Sequence, residues 1–571
     1  MRRSWDLKTL YDEAHFDTFL LALRKQIFEL KKLDSLEEKL LLAQELRLSI
    51  HQASSFANCL LADDRDHKRA RGWGSCLRSI SSDLEKIWME IDVDLLSMSD
   101  KEIDSLGEPA IQFPLKERRD LAKMRLDVEQ EHLISDLAVD GYHSWGHFYD
   151  SFTATLTFPL DGECFSLAQI GPMLSSPDRN LREKAHLSYK KVYNSNAPII
   201  AQFLNHLAGF RLKVYENRNW QSAIDDPLLQ NRMSIKTLNS MWEAVTNSRP
   251  IFVQYFKRKA KILGLEKLSW TDLSIPLQSK QNSIPYETGV KFIINQFEKI
   301  SPKMAVFARR AVESNWIDSE NRPGKRQGAG YYIFPFTKET RIFLTYSGSW
   351  SDICNLSNLL GHSFHCSLIS SLPELAQHYR RNVAEIASTM SETIIGNARI
   401  QQAKDQEEKI ALLDNRICRS LIYLLDVQAR YLFESRFIEK RKERYLGPEE
   451  LNALMLEAQQ ECFSNSLAEY NPLLWAAKRN FYITDSPFYN FPYTFGHLLS
   501  ASIYERIKND PAAFENIYMP LLSDSGIMTS EDLVKKHLGR DIEEPEFWQE
   551  SVDSVLKDVE EFLKLTTLAH L

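Results

Sequence analysis

The chain has 571 residues, of which 43% are hydrophobic and 26% charged, and its formal net charge is −8. A negative balance argues against a dedicated nucleic-acid or anionic-membrane binder, because both need positive charge at the contact. Glycine (20 residues) and proline (21 residues) fall below their usual shares of about 7% and 5%. Long stretches therefore lack helix breakers, and a mainly α protein is predicted.

The N-terminus and the cysteines indicate a cytoplasmic protein. The first residues, M-R-R-S-W-D-L-K-T-L, are charged and no apolar stretch follows them, so a secretory signal is not predicted. No window approaches the ~18 consecutive apolar residues of a membrane span. Seven cysteines are scattered without a C-x-x-C pair, which suits a reducing compartment better than a disulfide framework or a zinc knuckle.

The N-terminal part of the sequence is predicted to be helical. Apolar residues recur every three or four positions from residue 5 to about 139, most clearly in Leu36–Ile50. The segment Phe152–Phe165 favours short strands around a D-G turn, or an irregular connection. Helical periodicity returns over Leu181–Val245. A lobe boundary is therefore expected between residues 170 and 190.

A β-hairpin and two helices are predicted in the middle of the chain. Tyr331–Tyr346 reads Y-Y-I-F-P-F-T-K-E-T-R-I-F-L-T-Y, in which two aromatic and β-branched runs flank a polar turn. The preceding N-R-P-G-K-R-Q-G-A-G, Asn321–Gly330, is a glycine-rich basic loop. Apolar stretches through N-L-L-G-H (Asn358–His362) and N-V-A-E-I-A-S-T-M-S-E (Asn382–Glu392) predict the helices.

The pentapeptide N-L-L-G-H has the length and the ending of the zinc-peptidase motif H-E-x-G-H. In the intact motif, two histidines on one helix face bind the ion, and the glutamate beside the first is the general base. Here Asn358 stands at the first histidine, Leu359 stands at the base and His362 keeps the second histidine. A lone histidine on an apolar helix is more often a packing residue, so the pentapeptide alone predicts no metal site.

The surrounding sequence resembles the oligoendopeptidase F family of zinc metallopeptidases, relatives of thimet oligopeptidase. That family reads T-F-N-G-S-x-N-D-x-x-T-L-A-H-E-L-G-H-A-F-H where this chain has T-Y-S-G-S-W-S-D-I-C-N-L-S-N-L-L-G-H-S-F-H, Thr345–His365. The family's third zinc ligand is a glutamate in a segment like L-A-E-T-A-S-x-x-x-E. The stretch V-A-E-I-A-S-T-M-S-E matches it and aligns Glu385 with the ligand, and Glu392 with the second glutamate, for which a supporting role beside the ligands is expected.

The resemblance extends to both ends of the chain. Near the C-terminus, R-N-F-Y-I-T-D-S-P-F-Y-N-F-P-Y-T-F-G aligns with the family's H-F-Y-I-x-x-x-x-F-Y-x-x-P-Y-x-F-G. The family's histidine and tyrosines there steady the peptide and the oxyanion. Tyr489 and Tyr493 match the tyrosines, whereas Asn480 replaces the histidine. The W-D-L at Trp5 fits the family's N-terminal start.

The resemblance implies a fold and a set of site residues. The fold is mainly α and two-lobed, with a deep central channel, a helical lobe over residues 1–180, and a catalytic lobe over 181–571 that carries a small β-sheet. The implied metal ligands are His362 and Glu385, with Asn358 a doubtful third. The loop Arg322–Gly330 is expected to close over the channel. The residues expected to bind peptide are Tyr331, Tyr332, Ser347, Gly348, Tyr489 and Tyr493.

Three replacements bear on the chemistry. A neutral amide such as that of Asn358 is a poor ligand for Zn²⁺ beside imidazole and carboxylate. The alkyl side chain of Leu359 can neither take a proton from water nor pass one on. Asn480 can donate one hydrogen bond to an oxyanion but not as a cation. The sequence therefore predicts a pseudopeptidase, with zinc lost or weakly bound, that binds short peptides or a partner's peptide segment without hydrolysing them.

Other hypotheses stay open at this stage. A rebuilt metal site could combine His362 and Glu385 with Asn358, His365 or Cys366 in an active metalloendopeptidase. Cys366 and His362 could form a nucleophilic pair, although nothing in the sequence supplies the rest of such a site. The chain could instead be a scaffolding or regulatory subunit of an active paralogue. No nucleic-acid or membrane partner is expected under any of these hypotheses.

Overall fold

A computed structural model describes residues 3–273, 275, 277 and 283–568 of the chain. The chain divides into two units, each assembled from three segments. The first unit comprises Met1–Val128, Gln281–Ala398 and Ile503–Arg540, and the second comprises Glu129–Lys280, Arg399–Ser502 and Asp541–Leu571. The lobe boundary at residue 180 and the central channel stay predictions.

The described residues are mainly helical, as the composition predicts. The helices are α1 (Phe16–Leu30), α2 (Leu36–Asp63), α3 (Lys68–Leu96), α4 (Asp100–Asp104), α5 (Pro109–Ala122), α6 (Val128–Ala138), α7 (Ser144–Ala154), α8 (Leu167–Leu174), α9 (Arg179–Asn217), α10 (Asp225–Gln230), α11 (Ile235–Asn247), α12 (Arg249–Ile262), α13 (Tyr286–Ile300), α14 (Pro302–Glu313), α15 (Trp350–Ile369), α16 (Arg381–Gln401), α17 (Gln406–Leu421), α18 (Val427–Glu443), α19 (Pro448–Cys462), α20 (Leu474–Ala477), α21 (Phe491–Ile507), α22 (Pro511–Ala513), α23 (Met519–Ser523), α24 (Ser530–Leu538) and α25 (Pro545–Leu568). The strands are β1 (Thr157–Leu160), β2 (Glu163–Ser166), β3 (Ile317–Asp318), β4 (Ala329–Phe334) and β5 (Glu339–Leu344).

The predicted helix at Leu36 shows why the sequence is helical there. The Ser35 hydroxyl accepts a hydrogen bond from the Glu38 amide at 3.4 Å and so caps the N-terminus of α2. Glu37 and Glu38 in the first turn complement the helix dipole. The helix then continues well past Ile50 to Asp63, because no glycine or proline interrupts it.

The predicted D-G turn joins β1 and β2 in the second unit. Asp161 and Gly162 both have positive φ, at 50° and 91°, as a two-residue hairpin turn matched to the strand twist requires. The strands begin later than the sequence pattern indicates, because Phe152 belongs to the last turns of α7.

The predicted hairpin at Tyr331–Tyr346 is confirmed as β4 and β5 of a three-stranded sheet in the first unit. The strand order is β3-β5-β4, with β4 antiparallel and β3 parallel to β5. Tyr331 pairs with Ile342 and Tyr332 with Arg341. Successive side chains on a strand point to opposite faces, so the two tyrosines lie on different sides of the sheet.

One face of this sheet packs on the N-terminal helices of the first unit. Phe334 and Phe343 belong to the same buried apolar cluster as Trp5 and the core side chains of α1, α2 and α3. The Tyr332 ring stacks on Phe343 with centroids 5.8 Å apart. The sheet is thereby fixed to the N-terminal helices by one face, and its other face lies toward α15.

The basic loop before β4 is tethered within the first unit. Lys325 is 2% exposed, and its ammonium donates to Asp318 Oδ1 at 2.9 Å and to the Leu344 carbonyl at 3.0 Å. Arg322 pairs with Asp318 and Asp63. Two cations of this loop, which was predicted to close over a channel, are thus paired with carboxylates of their own unit.

None of the helices in the described part of the chain combines the length and the hydropathy that a membrane-spanning helix needs. The seven cysteines carry free thiols.

Candidate functional site

The turn before α15 is built by one carboxylate. Asp352 Oδ2 accepts hydrogen bonds from the Ser349 and Ser347 amides, both at 2.9 Å, and from the Ser347 hydroxyl at 2.8 Å. Gly348 has a φ of +95°, and a Cβ there would lie 2.3 Å from the Ser283 hydroxyl. Ser347 and Gly348, predicted to bind peptide, are thus placed as the tight turn that starts the motif helix.

Helices α15 and α16 approach each other closely at Gly361. A Cβ at this position would lie 2.3 Å from Ser391 Oγ and 2.4 Å from the Ala387 carbonyl oxygen. The absence of a side chain lets the backbones of the two helices meet. This contact sets the helix of His362 against the helix of Glu385, as the resemblance implies.

His362 packs against Tyr331, the hairpin tyrosine on the sheet face toward α15. The rings of His362 and Tyr331 stack with centroids 5.0 Å apart and an interplanar angle of 17°. Its Nδ1 is buried and has no hydrogen-bond partner among the described residues. Burial, and then the positive charge of Arg381, lower the pKa of His362 to about 4, so the ring is neutral at physiological pH.

Glu385 is a carboxyl group in an environment that disfavours its charge. Burial raises its pKa to about 7, against the opposing effects of the Arg381 charge and a hydrogen bond from Ser388. The Ser388 hydroxyl donates to Glu385 Oε2 at 3.1 Å, and the negative charge of Glu392 adds to the rise. Sequence reasoning assigned no role to Arg381, which lies outside the motif, or to Ser388, which matches the serine of the family segment.

Asn358 links α15 to α16. Its Nδ2 donates to Glu392 Oε1 at 2.8 Å. A carboxylate only accepts hydrogen bonds, so the amide nitrogen, and not the oxygen, is the atom that faces Glu392. Next to it, Leu359 is 6% exposed and belongs to the apolar interior.

His365 and Cys366 have partners of their own. His365 is fully buried, and its Nε2 lies 2.8 Å from Ser525 Oγ and 3.1 Å from the Leu522 carbonyl oxygen. Cys366 Sγ lies 3.3 Å from the hydroxyl of Tyr379, and burial raises the pKa of the thiol to about 12. The thiol is therefore protonated, which is the form that neither binds metal nor attacks a carbonyl.

The ligand set at the motif is incomplete for zinc. No group of three or more His, Cys, Asp or Glu side chains in the described part of the chain could hold a metal ion. The motif offers two ionisable candidate ligands, His362 and Glu385. Where the H-E-x-G-H motif has a second imidazole and a carboxylate, this chain has the amide of Asn358 and the alkyl group of Leu359. The residues present do not fit a zinc site of the H-E-x-G-H type.

The C-terminal block lies in the second unit. Asn480 Nδ2 donates to Asn490 Oδ1 at 2.8 Å, and Arg430 Nη1 donates to the same oxygen at 3.2 Å. The rings of Tyr489 and Tyr493 lie 6.0 Å apart, and both side chains are half-buried. Asn480, Tyr489 and Tyr493 thus lie in one segment of the second unit.

Tyr332, by contrast, lies on the packed face of its sheet.

The comparisons with known proteins agree with the resemblance. Residues 172–553 match the model of Peptidase family M3, and residues 94–158 match that of Oligopeptidase F. The chain therefore belongs to peptidase family M3, whose members use zinc.

Relatives of this family align over nearly the whole chain. An oligoendopeptidase F homologue of Lactococcus lactis is 24% identical over 91% of this chain and 90% of its own length. An oligoendopeptidase F homologue of Borreliella burgdorferi is 24% identical over 93% of this chain and 94% of its own length. The crystal structure of oligoendopeptidase-F from Enterococcus faecium superposes with a TM-score of 0.69 at 18% identity, covering 97% of this chain and 100% of that one. The predicted fold is confirmed as that of an oligopeptidase.

Proposed function

We propose that this member of family M3 binds short peptides, or a peptide segment of a partner protein, and does not hydrolyse them by the zinc mechanism. The observation that carries the proposal is the pair at the motif: Asn358 is held to Glu392 by its amide nitrogen, and Leu359 is a buried alkyl side chain. One of these replaces a ligand and the other replaces the base.

Loss of the base is the more severe of the two changes. General-base catalysis contributes about 10²–10⁴ in rate, and the leucine side chain has no atom that can accept a proton. Asn480, at the family's histidine, adds a second loss, because it cannot donate as a cation and its Nδ2 already donates one of its two N–H groups to Asn490 Oδ1. Removing one such oxyanion donor typically costs about 10²–10³ in rate.

A rebuilt metal site is disfavoured by the contacts of its candidates. The Nε2 atom of His365 already contacts Ser525 Oγ and the Leu522 carbonyl oxygen. Cys366 holds its proton and contacts Tyr379. Zinc would have to displace these contacts and take the proton from the thiol as well.

Peptide binding is supported by features that do not depend on the metal. Strand β4 is one of the two edge strands of its sheet, and an edge strand can pair with an extended peptide. Tyr331 on that strand stacks on His362, so a peptide paired with β4 would run beside the former catalytic helix. The curated relatives are named oligoendopeptidases and oligopeptidases.

The test combines binding with turnover. A small library of unstructured peptides is titrated into the protein by calorimetry, and each peptide is then recovered and weighed by mass spectrometry. Binding with intact recovered peptide supports the proposal. Cleaved peptide contradicts it, and the absence of any binding favours the scaffolding hypothesis.

A reconstruction supplies the positive control. The double variant Asn358→His plus Leu359→Glu, and the triple variant with Asn480→His, return the three replaced groups. If these variants take up zinc and cleave a peptide that the unmodified chain only binds, the missing chemistry is assigned to those three positions.

A further inference from the structure

A cleft of about 760 Å³ lies within the second unit, between α7, α9 and the end of α18. The described residues that line it include none from α15, α16 or the block Arg479–Gly496. The cleft is therefore separate from the motif site. Its volume is in the range of small-molecule sites, about 300–1,000 Å³.

Flat rings form much of the lining of this cleft. The rings of Trp145 and His206 stack with centroids 4.6 Å apart and an interplanar angle of 13°. Those of Tyr215 and Trp220 stack at 5.1 Å and 12°, and Phe210 is a fifth ring at the cleft. Trp145, Phe210 and Trp220 are half-buried and keep part of their surface accessible. Such surfaces favour an aromatic ligand, because stacked rings gain free energy beyond the area that they bury.

Arg441 of α18 is held in position at the same cleft. Its Nε donates to the carbonyl oxygen of Asn205 in α9 at 3.2 Å. The Asn205 side chain is fully buried and exchanges two hydrogen bonds, both of 3.0 Å, with the backbone of Leu446. The guanidinium lies across Gly209, where a Cβ would lie 2.6 Å from Nη2. The absence of a side chain at Gly209 thus makes room for this cation.

The other charged groups around the cleft are paired, and Arg441 is not. Lys213 donates to Glu216 at 2.6 Å, and Lys442 donates to Glu439 at 2.8 Å. Arg441 has no ion pair in the part of the chain that the structure describes. Its side chain is half-buried, so the guanidinium keeps accessible surface. The cleft therefore presents one positive charge that no carboxylate of its surroundings compensates.

This single cation indicates the charge of the ligand. A carboxylate carries one negative charge, and a guanidinium can hold it by two parallel hydrogen bonds. A phosphate monoester carries about −1.5 to −2 at pH 7, which one guanidinium leaves partly uncompensated. A carboxylate is thus the better match.

We propose that this cleft binds a small aromatic carboxylate, with the carboxylate on Arg441 and the ring against the flat side chains of the lining. A free aromatic acid and the C-terminal aromatic residue of a peptide share this chemistry. The proposal does not depend on the chemistry of the motif site, because that site lies in the first unit.

The test uses N-acetyltryptophan and N-acetyltryptophanamide, which differ only at the carboxylate. Ligand-observed NMR titration of the full chain should show the acid bound about tenfold or more tightly than the amide, the factor expected for a hydrogen bond to a charged group. N-acetylalanine has the carboxylate without the ring, and it should also bind about tenfold or more weakly than N-acetyltryptophan.

A tetrapeptide that ends in tryptophan distinguishes the two sources of the ligand. Binding tighter than that of N-acetyltryptophan assigns the cleft to a peptide C-terminus. Equal or weaker binding assigns it to a free aromatic acid.

Two variants and a charge-matched control locate the binding. In Arg441→Gln, the preference for the acid over the amide should disappear. Gly209→Ala should weaken acid binding by displacing the guanidinium, and the protein should stay folded because the added methyl group meets only the end of a flexible side chain. Lys440 precedes Arg441 and does not line the cleft, so Lys440→Gln should change the affinity by about twofold or less.

Four results would overturn the proposal. The acid fails to bind up to its solubility limit, or the acid and the amide bind equally to the unmodified chain. Either Arg441→Gln or Gly209→Ala binds the acid unchanged, or Lys440→Gln weakens its binding as much as Arg441→Gln does.

Discussion

Asn358 Nδ2 donates a hydrogen bond to Glu392 Oε1 across 2.8 Å, joining α15 to α16 at the position where the family places a zinc-binding histidine. The Asn358 side chain thus forms a contact between two helices. A neutral amide beside a carboxylate is stable without metal, whereas two anionic or two cationic groups would not be.

The first prediction concerns this hydrogen bond. Asn358→Asp would set two carboxylates against each other, so the free energy of unfolding should fall by about 1–3 kcal/mol at pH 8. The loss should be smaller at pH 4.5, because one carboxyl group is then protonated. Urea denaturation at both pH values measures it. Adding Glu392→Gln should recover most of the lost stability. If neither the pH nor Glu392→Gln changes the loss, the contact between residues 358 and 392 is contradicted.

The second prediction concerns the helix approach at Gly361. Gly361→Ala would place a methyl group 2.4 Å from the Ala387 carbonyl oxygen, and overpacking of this kind costs about 1–3 kcal/mol. Gly72 is the matched control, since it lies in α3 and an added methyl group there would meet no other atom within 4 Å. Gly72→Ala should raise stability by about 0.5–1 kcal/mol, the helix-propensity gain. Equal effects of the two substitutions in denaturation experiments would show that α15 and α16 are not so close.

The third prediction uses the pKa of Glu385. Its folded pKa of about 7 lies above the ordinary value of 4.5, so its charged form is disfavoured in the folded state. The contribution of the protonated Glu385 to the free energy of unfolding is therefore fully present below pH 4.5, and it is lost as the pH rises through 7. Glu385→Gln removes this loss, and should therefore stabilise the metal-free protein by about 1–3 kcal/mol at pH 8 and hardly at all at pH 4.

The same variant separates a metal ligand from a buried carboxyl group. If Glu385 bound zinc, Glu385→Gln would lower the melting temperature at pH 8, and a chelator would reverse the sign of the difference, because the variant is the more stable of the two metal-free proteins. Thermal melts of both proteins, with and without chelator, distinguish these opposite signs.

The fourth prediction concerns the core of the second unit. Lys259 of α12 and Asp414 of α17 are both fully buried, with Nζ 3.1 Å from Oδ1. Tyr255 also donates to this carboxylate, at 2.6 Å. Lys259→Met would leave Asp414 as an uncompensated buried charge and should cost about 3–5 kcal/mol. Lys259→Met combined with Asp414→Asn should cost less, and calorimetric melting compares the two. If Lys259→Met alone costs less than about 1 kcal/mol, as expected of a solvated ion pair, the prediction is contradicted.

Much of the fold follows from the sequence because its signals are local. Few glycines or prolines interrupt the helical periodicity, so α2 and α15 are predicted from their own residues. The Asp161–Gly162 turn and the β4–β5 hairpin have equally local signatures. Strand β3 has two residues and exists only by pairing with β5, so no pattern in its own sequence could indicate it.

The candidate site is predictable only in part. Motif spacing placed His362 and Glu385 on two helices that do pack together. The partner of Asn358, and the burial of Lys325 in the glycine-rich basic loop, depend on neighbours distant in sequence.

The most direct test of the central claim is the zinc content of the purified, unmodified protein, measured together with its cleavage of a fluorescence-quenched peptide with and without a chelator. We predict substoichiometric zinc after dialysis against zinc-containing buffer, and no chelator-sensitive cleavage. Stoichiometric zinc together with cleavage that the chelator abolishes would contradict the claim.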